Sequence, residues 1–393
     1  MRRSSDRFVT SHVGSLPRPR ELISLLQAKQ FHEAGFDQKK LTVVGQLSIN
    51  EVVARQCAIG LDVIDDGEHT KVSFSSYAQL RLSGLAPSDK PGFRGDTRDS
   101  LQFPEVYKDL QLTFGSRVKA RGYPRPMANL ACVGPLKFIG HAEVQADIDA
   151  LVAAMGDHPR GDSFITSISP TNLELYHRNE YYKSEEEYLI ANCDAMREEY
   201  RMIVDAGFIV QIDDPSLITH YNRAPGITMA ENRKFIEKRV EALNYALRDI
   251  PEDMIRFHTC YSTNIAPRVH DLELRDYVDL MYRIKAQCYS IEASNPRHEH
   301  EWQIFEEFKL PDGKIIMPGV VTHCSPMVEH PELVAQRILR FADVCGRENV
   351  IPANDCGFAT SAAGDEVHAD VAWAKLEALV EGARLASKRA WMR

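Results

Sequence analysis

Four side chains in the second half of the sequence are of types that hold a thiophilic metal: His258, Cys260, Glu292 and Cys356. His258 and Cys260 lie two positions apart in Arg256-Phe257-His258-Thr259-Cys260-Tyr261. Alternate residues of an extended chain face the same side, so at a strand end both would be aimed at one point. Glu292, in Ser290-Ile291-Glu292-Ala293-Ser294, and Cys356, in Asn354-Asp355-Cys356-Gly357, each close an apolar run. A carboxylate at the end of an apolar strand is costly unless it is paired or ligating. One imidazole, two thiolates and one carboxylate form a reasonable ligand set for zinc. Zinc in such a site would stabilise a substrate thiol as thiolate near neutral pH, where a free thiol is mostly protonated. To admit that substrate, four protein ligands must give up one position or the coordination must expand, unlike a closed structural site. Each residue alone also has an ordinary reading, because His-X-Cys is short and buried cysteine commonly fills cores.

Other polar groups end apolar runs. Glu68, after Asp65 and Asp66, and Asp213, with Asp214, read either as holders of a substrate ammonium group or as helix caps and rim salt bridges. Gly14-Ser15 either offers backbone and hydroxyl donors to a carboxylate or forms a plain turn. His323 is a candidate proton donor or an ordinary hydrogen-bonded histidine. Tyr176, Tyr181 and Tyr182 either stack on a flat ligand or pack beneath a loop.

These groups need elements to position them. Apolar runs predict strands at Phe8 to Ser15, Leu61 to Glu68, Ser163 to Ile168, Phe208 to Ile212, Met254 to His258, Cys288 to Ile291, Ile315 to Val321 and Val350 to Ala353. Helical periodicity predicts helices between them, near Glu21 to Gln30, Leu47 to Ile59, Val72 to Leu82, Ala142 to Met155, Ser184 to Asp205, Met229 to Leu247, Asp271 to Lys285, Glu299 to Phe308, Pro331 to Cys345 and Glu366 to Ser387. Strand–helix alternation implies parallel βαβ units, and eight strands imply a (β/α)8 TIM barrel, an α/β fold. The stretch from Ala86 to Pro126 carries proline, glycine and charge without a helical period, and reads as an excursion inserted after the second strand, reaching to about 158. No low-complexity linker divides the chain, so a single domain over 1–393 is expected, with an open doubly wound sheet as the competing architecture. Asp213, His258, Glu292, His323 and Cys356 follow one another at intervals of 45, 34, 31 and 33 residues, close to one βα unit. That rhythm puts one polar group per unit at the carboxyl rim, where barrel active sites sit.

Composition sets the outer limits. The apolar and charged fractions are those of an ordinary globular protein. A net charge of −9 argues against a general nucleic-acid or acidic-membrane surface. The eight cysteines lack the dense spacing of a disulfide scaffold. Met1 to Arg7 is polar rather than a signal sequence, and no apolar run approaches the roughly 20 residues needed to span a bilayer. A cytoplasmic protein with reduced thiols and no membrane partner is expected.

Taken in order, these motifs resemble the catalytic barrel of the cobalamin-independent methionine synthase family, in patches from Ser11 to about Thr360. Val13-Gly14-Ser15-Leu16-Pro17 is similar to the family's homocysteine-binding Ile-Gly-Ser-Phe-Pro turn. Asp66-Gly67-Glu68 resembles His-Gly-Glu, which implies that Glu68 binds the amino group while Asp66 replaces the histidine. Gln211-Ile212-Asp213-Asp214-Pro215 is similar to Gln-Ile-Asp-Glu-Pro, implying a homocysteine contact at Asp213. Gly115-Ser116-Arg117 resembles an element that contributes to folate binding, and Tyr176 falls near the family's folate-stacking tryptophan. His258-X-Cys260, Ile291-Glu292-X-Ser294 and Asp355-Cys356-Gly357 match the zinc-ligand motifs in sequence order. The resemblance therefore implies a Zn2+ cofactor and methyl transfer to homocysteine, giving methionine.

The departures bear on substrate. The family's catalytic histidine immediately precedes Ser-Pro, whereas Thr322-His323-Cys324-Ser325-Pro326 has Cys324 there and His323 one place earlier. In a strand, a one-residue shift reverses the side-chain direction. Full-length members also carry an N-terminal barrel that helps bind polyglutamylated folate, for which this chain has no room. Short relatives include zinc enzymes that add coenzyme M to epoxides. Alkylation of another thiol, and a non-catalytic zinc-binding barrel, are thus the alternatives. The expected partners are a small-molecule thiol and a methyl or alkyl donor, with a corrinoid protein as one candidate donor and a second copy of the chain as a candidate oligomer partner.

Overall fold

The computed structural model describes residues 1–90, 95–110, 129–261, 263, 266–362 and 367–392. Its described strands are β1 Leu85–Pro87, β2 Leu130–Cys132, β3 Phe164–Ile168, β4 Arg178–Asn179, β5 Ile209–Asp213, β6 Ile255–Thr259, β7 Cys288–Ile291, β8 Ile315–Val321 and β9 Ala353–Asn354. A parallel sheet in the order β3-β5-β6-β7-β8-β9 carries the site. Every residue of β3, β5, β6, β7 and β8 is buried, which is why these segments read as near-continuous apolar runs. The result is a mixed α/β fold with a curled, half-barrel parallel sheet.

The helices follow their sequence signals. Met229–Ala246 starts with a capping box between Thr228 and Glu231, and Pro331–Cys345 starts with proline in its first turn. The latter buries Val334, Ala335, Ile338, Phe341 and Cys345, an apolar stripe of helical period. Three predicted helices are largely replaced by short turns. Val72 to Leu82 holds only the 3-10 turn Ser76–Leu80, where Ser73 Oγ accepts the Ser76 N–H at 2.9 Å. Asp271 to Lys285 holds only a 3-10 turn at Leu274–Asp276 and the short helix Val278–Met281, and Glu299 to Phe308 holds Glu301–Gln303 and Ile304–Glu307. Side chains capture backbone donors there: the Leu274 N–H donates to Glu301 Oε1 at 2.8 Å, an alternative to a helical ladder.

The first two predicted strands are extended segments rather than laddered strands. Asp62 N–H and Val63 N–H donate to Thr10 O at 3.2 and 3.0 Å, Ser11 N–H to Pro352 O at 3.1 Å, and Phe164 N–H to Ile64 O at 3.0 Å. These bonds set the segment near residue 10 between residues 62–64 and 352. Side chains take the other ladder positions: Asp62 Oδ2 accepts Thr10 N–H at 2.8 Å and Asn354 Oδ1 accepts Val13 N–H at 3.0 Å.

The strands β1 and β2 form an antiparallel pair, and β2 continues in parallel to β4. A short helix, Arg98–Gln102, is closed by a capping box between Thr97 and Ser100. Among the described residues, no helix is long and apolar enough to cross a membrane.

The last helix, Ala369–Trp391, packs on Pro331–Cys345, and Gly382 permits this: a Cβ there would fall 2.4 Å from Val334 Cγ1. It also buries Lys375, whose Nζ donates to Met327 O and, at 2.8 Å, to Glu329 Oε2. Glu329 Oε1 accepts the Thr322 N–H at 2.8 Å, so this ion pair fastens the segment that carries His323. Lys375→Met should leave Glu329 without its counter-charge and cost about 3–5 kcal/mol. Urea unfolding should show a lower midpoint at unchanged slope.

Candidate functional site

Strand register assembles the centre of the site. Asp213 at the end of β5 pairs with His258 in β6, which pairs in turn with Ser290 in β7. His258 Nδ1 lies 2.9 Å from Ser290 Oγ, whereas its buried Nε2 has no hydrogen-bond partner among the described residues. Burial, helped by the charges of Arg256 and His323, lowers the imidazole pKa to about 3. A neutral ring with one nitrogen fixed by a neighbour and the other open is the state of a metal ligand.

Cys260 follows just beyond β6 and Cys356 just beyond β9, and both are buried. Their Sγ atoms lie 3.2 Å apart, and a ligand atom from each of His258, Cys260 and Cys356 fits within 4.8 Å of the others. An open imidazole nitrogen beside two converging thiols is a donor set that zinc fits.

Glu292, the fourth predicted ligand, is not in this trio. By the same 4.8 Å criterion it groups with His323 and Asp355. Its Oε1 accepts the N–H of Tyr261, the residue after Cys260, at 2.6 Å. Its Oε2 accepts from Arg268 Nη2 at 2.9 Å and Asn295 Nδ2 at 2.7 Å. Asp355 is anchored by the Ala293 and Ser294 N–H groups at 2.8 and 2.9 Å and by Ser294 Oγ at 2.7 Å. Only glycine at 319 leaves room for it, since a Cβ there would fall 2.0 Å from Asp355 Oδ1.

His323 is fully buried, and its Nε2 lies 3.1 Å from Cys324 Sγ. Cys324 is half-buried, with its Sγ 3.9 Å from Arg268 Nη1. Burial, with a contribution from the charge of Glu292, pushes the Cys324 thiol up. Both side chains therefore reach the Glu292–Arg268 region. Strand alternation does not separate them because β8 ends at Val321 and the chain then turns, with Cys324 N–H donating to Thr322 Oγ1 at 3.2 Å.

A second cluster adjoins the first. Gly14 has φ +131°, and a Cβ there would fall 2.7 Å from Thr166 Cγ2 and 3.0 Å from Glu68 Oε1, so glycine lets that carboxylate reach the backbone. Gln211 Nε2 donates to Val13 O at 2.6 Å and to Asp213 Oδ1 at 2.7 Å, tying the Val13–Ser15 turn to β5. Ser15 O accepts Phe358 N–H at 2.9 Å, and a Cβ on Gly357 would lie 2.0 Å from Ser15 Oγ. The turn is thus seated against the residues that follow Cys356.

The electrostatics of this cluster are lopsided. Asp65 Oδ2, Asp66 Oδ2 and Glu68 Oε2 are buried without hydrogen-bond partners among the described residues. Arg18 Nη2 stands 3.9 Å from Glu68 Oε2. Burial raises the Glu68 carboxyl and pushes Asp213 well above the usual carboxylate range; the charge of Glu68 adds to the effect on Asp213, while Lys71 opposes both shifts. Such a pocket attracts a further cation. Asp214, by contrast, fulfils the ordinary reading: its Oδ1 caps the helix Pro215–Arg223 at Leu217 N–H, 3.0 Å away. Asp66 also serves a turn, accepting the Glu68 N–H at 2.8 Å.

Tyr176 ends the helix Pro170–Tyr176, half-buried against the main core. Tyr182 stacks on Tyr188 and accepts the Leu136 N–H at 2.9 Å, so it packs under a loop. Arg117 lies outside the described residues. Sequence reasoning did not single out Ser290, Gln211, Lys71, Asp355 or Arg268. Ser290 and Gln211 carried a usable signal, a polar residue within an apolar strand. Arg268 carried none, being in an irregular loop.

Comparisons with known proteins bear on this geometry. The model of the family described as cobalamin-independent synthase, catalytic domain, matches residues 175–383. A 5-methyltetrahydropteroyltriglutamate–homocysteine methyltransferase of Thermotoga petrophila is 25% identical over 361 residues, covering 90% of this chain. The chain spans 42% of the length of that relative. A methionine synthase of Thermococcus kodakarensis is 22% identical over 351 residues, covering 88% of this chain and 86% of its own. Among solved structures, a B12-independent methionine synthase from a Shewanella species, in complex with selenomethionine, superposes with a TM-score of 0.71 at 18% identity. That match covers 98% of this chain and all of the other, and it supports the fold.

Proposed function

The chain belongs to the cobalamin-independent synthase catalytic-domain family, and from that premise we propose that it is a zinc-dependent methyltransferase whose acceptor is homocysteine. His258, Cys260, Cys356 and Glu292 would hold the zinc. Once bound, the metal supplies a positive charge that keeps the substrate sulfur as thiolate near neutral pH. Glu68 and Asp213 receive the substrate ammonium group, and the Val13-Gly14-Ser15 turn receives its carboxylate. His323, grouped with Glu292 and Asp355, gives the proton that the leaving group needs. The donor named for the Thermotoga relative, a 5-methyltetrahydropteroyl glutamate, is the one assigned first, with Tyr176 to stack on its ring and Arg117 to contact it.

The observation that carries this reading is the set of buried carboxylate oxygens that lack a hydrogen-bond partner among the described residues, beside the imidazole–thiol cluster. It favours a thiol that brings an ammonium group. Coenzyme M would instead set a sulfonate in the same acidic pocket, which like-charge repulsion opposes. A closed, non-catalytic zinc site would have no use for that pocket.

For the scaffold, the segments near residues 10 and 63 are taken as the first and second strands of a closed (β/α)8 barrel. It forms a single domain over 1–393, with the excursion at about 86–158, and the cytoplasm is its proposed compartment. The test is a thiol panel on zinc-loaded protein, read by zinc X-ray absorption. Homocysteine should add one sulfur to the metal's shell while coenzyme M leaves the spectrum unchanged. The reverse pattern would overturn the homocysteine assignment.

A further inference from the structure

Asp99 is fully buried, although it belongs to the excursion, on the short helix Arg98–Gln102. Its Oδ1 accepts the backbone N–H groups of both Val269 and His270 at 3.1 Å. Its Oδ2 accepts Asn222 Nδ2 at 2.8 Å, and its own N–H donates to Asn222 Oδ1 at 3.2 Å. Neighbours reinforce this seat. Arg98 Nε donates to Tyr221 O at 2.8 Å, and His270 Nε2 lies 2.7 Å from Gln102 Oε1. The excursion is thereby clamped both to the helix after β5 and to a turn in the segment after β6.

That turn starts at Arg268, whose φ of +56° is a left-handed conformation uncommon outside glycine. Arg268 Nε donates to Asp271 Oδ2 at 2.7 Å, its Nη2 to Glu292 Oε2 at 2.9 Å, and its Nη1 lies 3.9 Å from Cys324 Sγ. Two polar steps therefore connect the excursion to the site, from Asp99 to the 268–270 turn and from Arg268 to Glu292. Backbone donors in a surface turn are readily satisfied by water, whereas a buried carboxylate taking both fixes the turn in one conformation.

We propose that the helix Arg98–Gln102 is a strap that, through Asp99, holds Arg268 in place and so sets Glu292 and Cys324 at the edge of the metal site. Asp99 and Arg268 are positioning residues in this account. The inference rests on the zinc reading given above, and it gives the excursion a role in that site.

The test uses the full chain with Asp99→Ala, Arg268→Gln and the two combined. Zinc affinity is measured by competition with a chromogenic chelator, and the cobalt(II)-substituted proteins are compared by their visible spectra. Each single change should weaken zinc binding by roughly 10–100-fold, the range for groups that orient a ligand. The double variant should be no weaker than the worse single, because both act through one contact. The two single variants should also shift the cobalt spectrum in the same direction. Asn222→Ala loosens Asp99 without touching the turn, and it should give a smaller loss; this variant carries the test if Asp99→Ala does not fold. Wild-type zinc affinity and cobalt spectrum in a folded Asp99 or Asn222 variant, or fully additive losses in the double variant, would overturn the strap. A wild-type chain that binds no zinc would instead overturn the reading of the site itself.

Discussion

The variant carrying Cys260→Ala and Cys356→Ala is expected to purify without stoichiometric zinc and to lose more than about 100-fold in thiol methylation, because changes to orienting groups alone cost roughly 10–100-fold in affinity or activity. The two sulfur atoms lie 3.2 Å apart, and the proposed ligands left without them are the open Nε2 of His258 and the Glu292 carboxylate. A single imidazole with one adjoining carboxylate is too small a set to retain zinc against a chelator. Loss of fold is a poor explanation for such a result. Both residues follow the strand ends rather than filling the centre of the sheet, and shortening a cysteine to alanine removes one atom. Cys193→Ala is the matched control, since it removes a buried thiol that sits on the helix Glu185–Asp205 and contacts Ala242 O, away from the strand ends that carry the site. It should keep one zinc per chain. Retention of stoichiometric zinc by the double variant would mean that these thiols are not the ligands.

What could be read from the sequence divides along a physical line. His258, Cys260 and Cys356 were legible because strands end where apolar runs end, so a polar residue at that point sits on the rim. The same logic found Asp213, and register then placed it beside His258. It could not distinguish Asp213 from Asp214, which differ only in which way each side chain turns as the strand gives way to a helix. Glu292 was legible as a costly carboxylate, but its partners were not. Arg268 comes from a loop with no period, and its contact with Glu292 spans 24 residues. The segments of the first two strands were found by their apolar runs. Their weak ladder was not, because it depends on Asp62 and Asn354 side chains taking bonds that backbone groups usually make. The predicted helices after β6 and β7 failed for a related reason: Glu301, in the second of them, turns inward to accept the Leu274 N–H and lies 2.9 Å from His298 Nδ1.

Asp213→Asn and Glu68→Gln should make the protein more stable at neutral pH while making it a poorer binder of homocysteine. Both carboxyls are raised by burial, so the folded state holds their protons more tightly than the unfolded state does. A group with a raised folded pKa contributes stability that is complete below its unfolded value, near pH 4, and is lost as pH rises through the folded value. The amide variants escape that loss. Their advantage over the wild type should therefore open above about pH 4, grow through the folded pKa and then level off, reaching about 0.5–2 kcal/mol in thermal unfolding at pH 7. The amide oxygen that Asp213→Asn retains can still accept from Gln211, so the turn at Val13 keeps its tie. Binding should move the other way. An ammonium group arriving between Glu68 and Asp213 favours their ionised forms, and removing one of these charges should weaken homocysteine by about 2–4 kcal/mol. A thiol of similar length without an amino group should bind the variants no worse than the wild type, and zinc content should be unchanged. If both thiols weaken equally, the carboxylates act on the metal or the fold rather than on the amino group. Opposite signs for stability and amino-thiol affinity in the same variant would identify the acidic pocket as strain maintained for the substrate's charge.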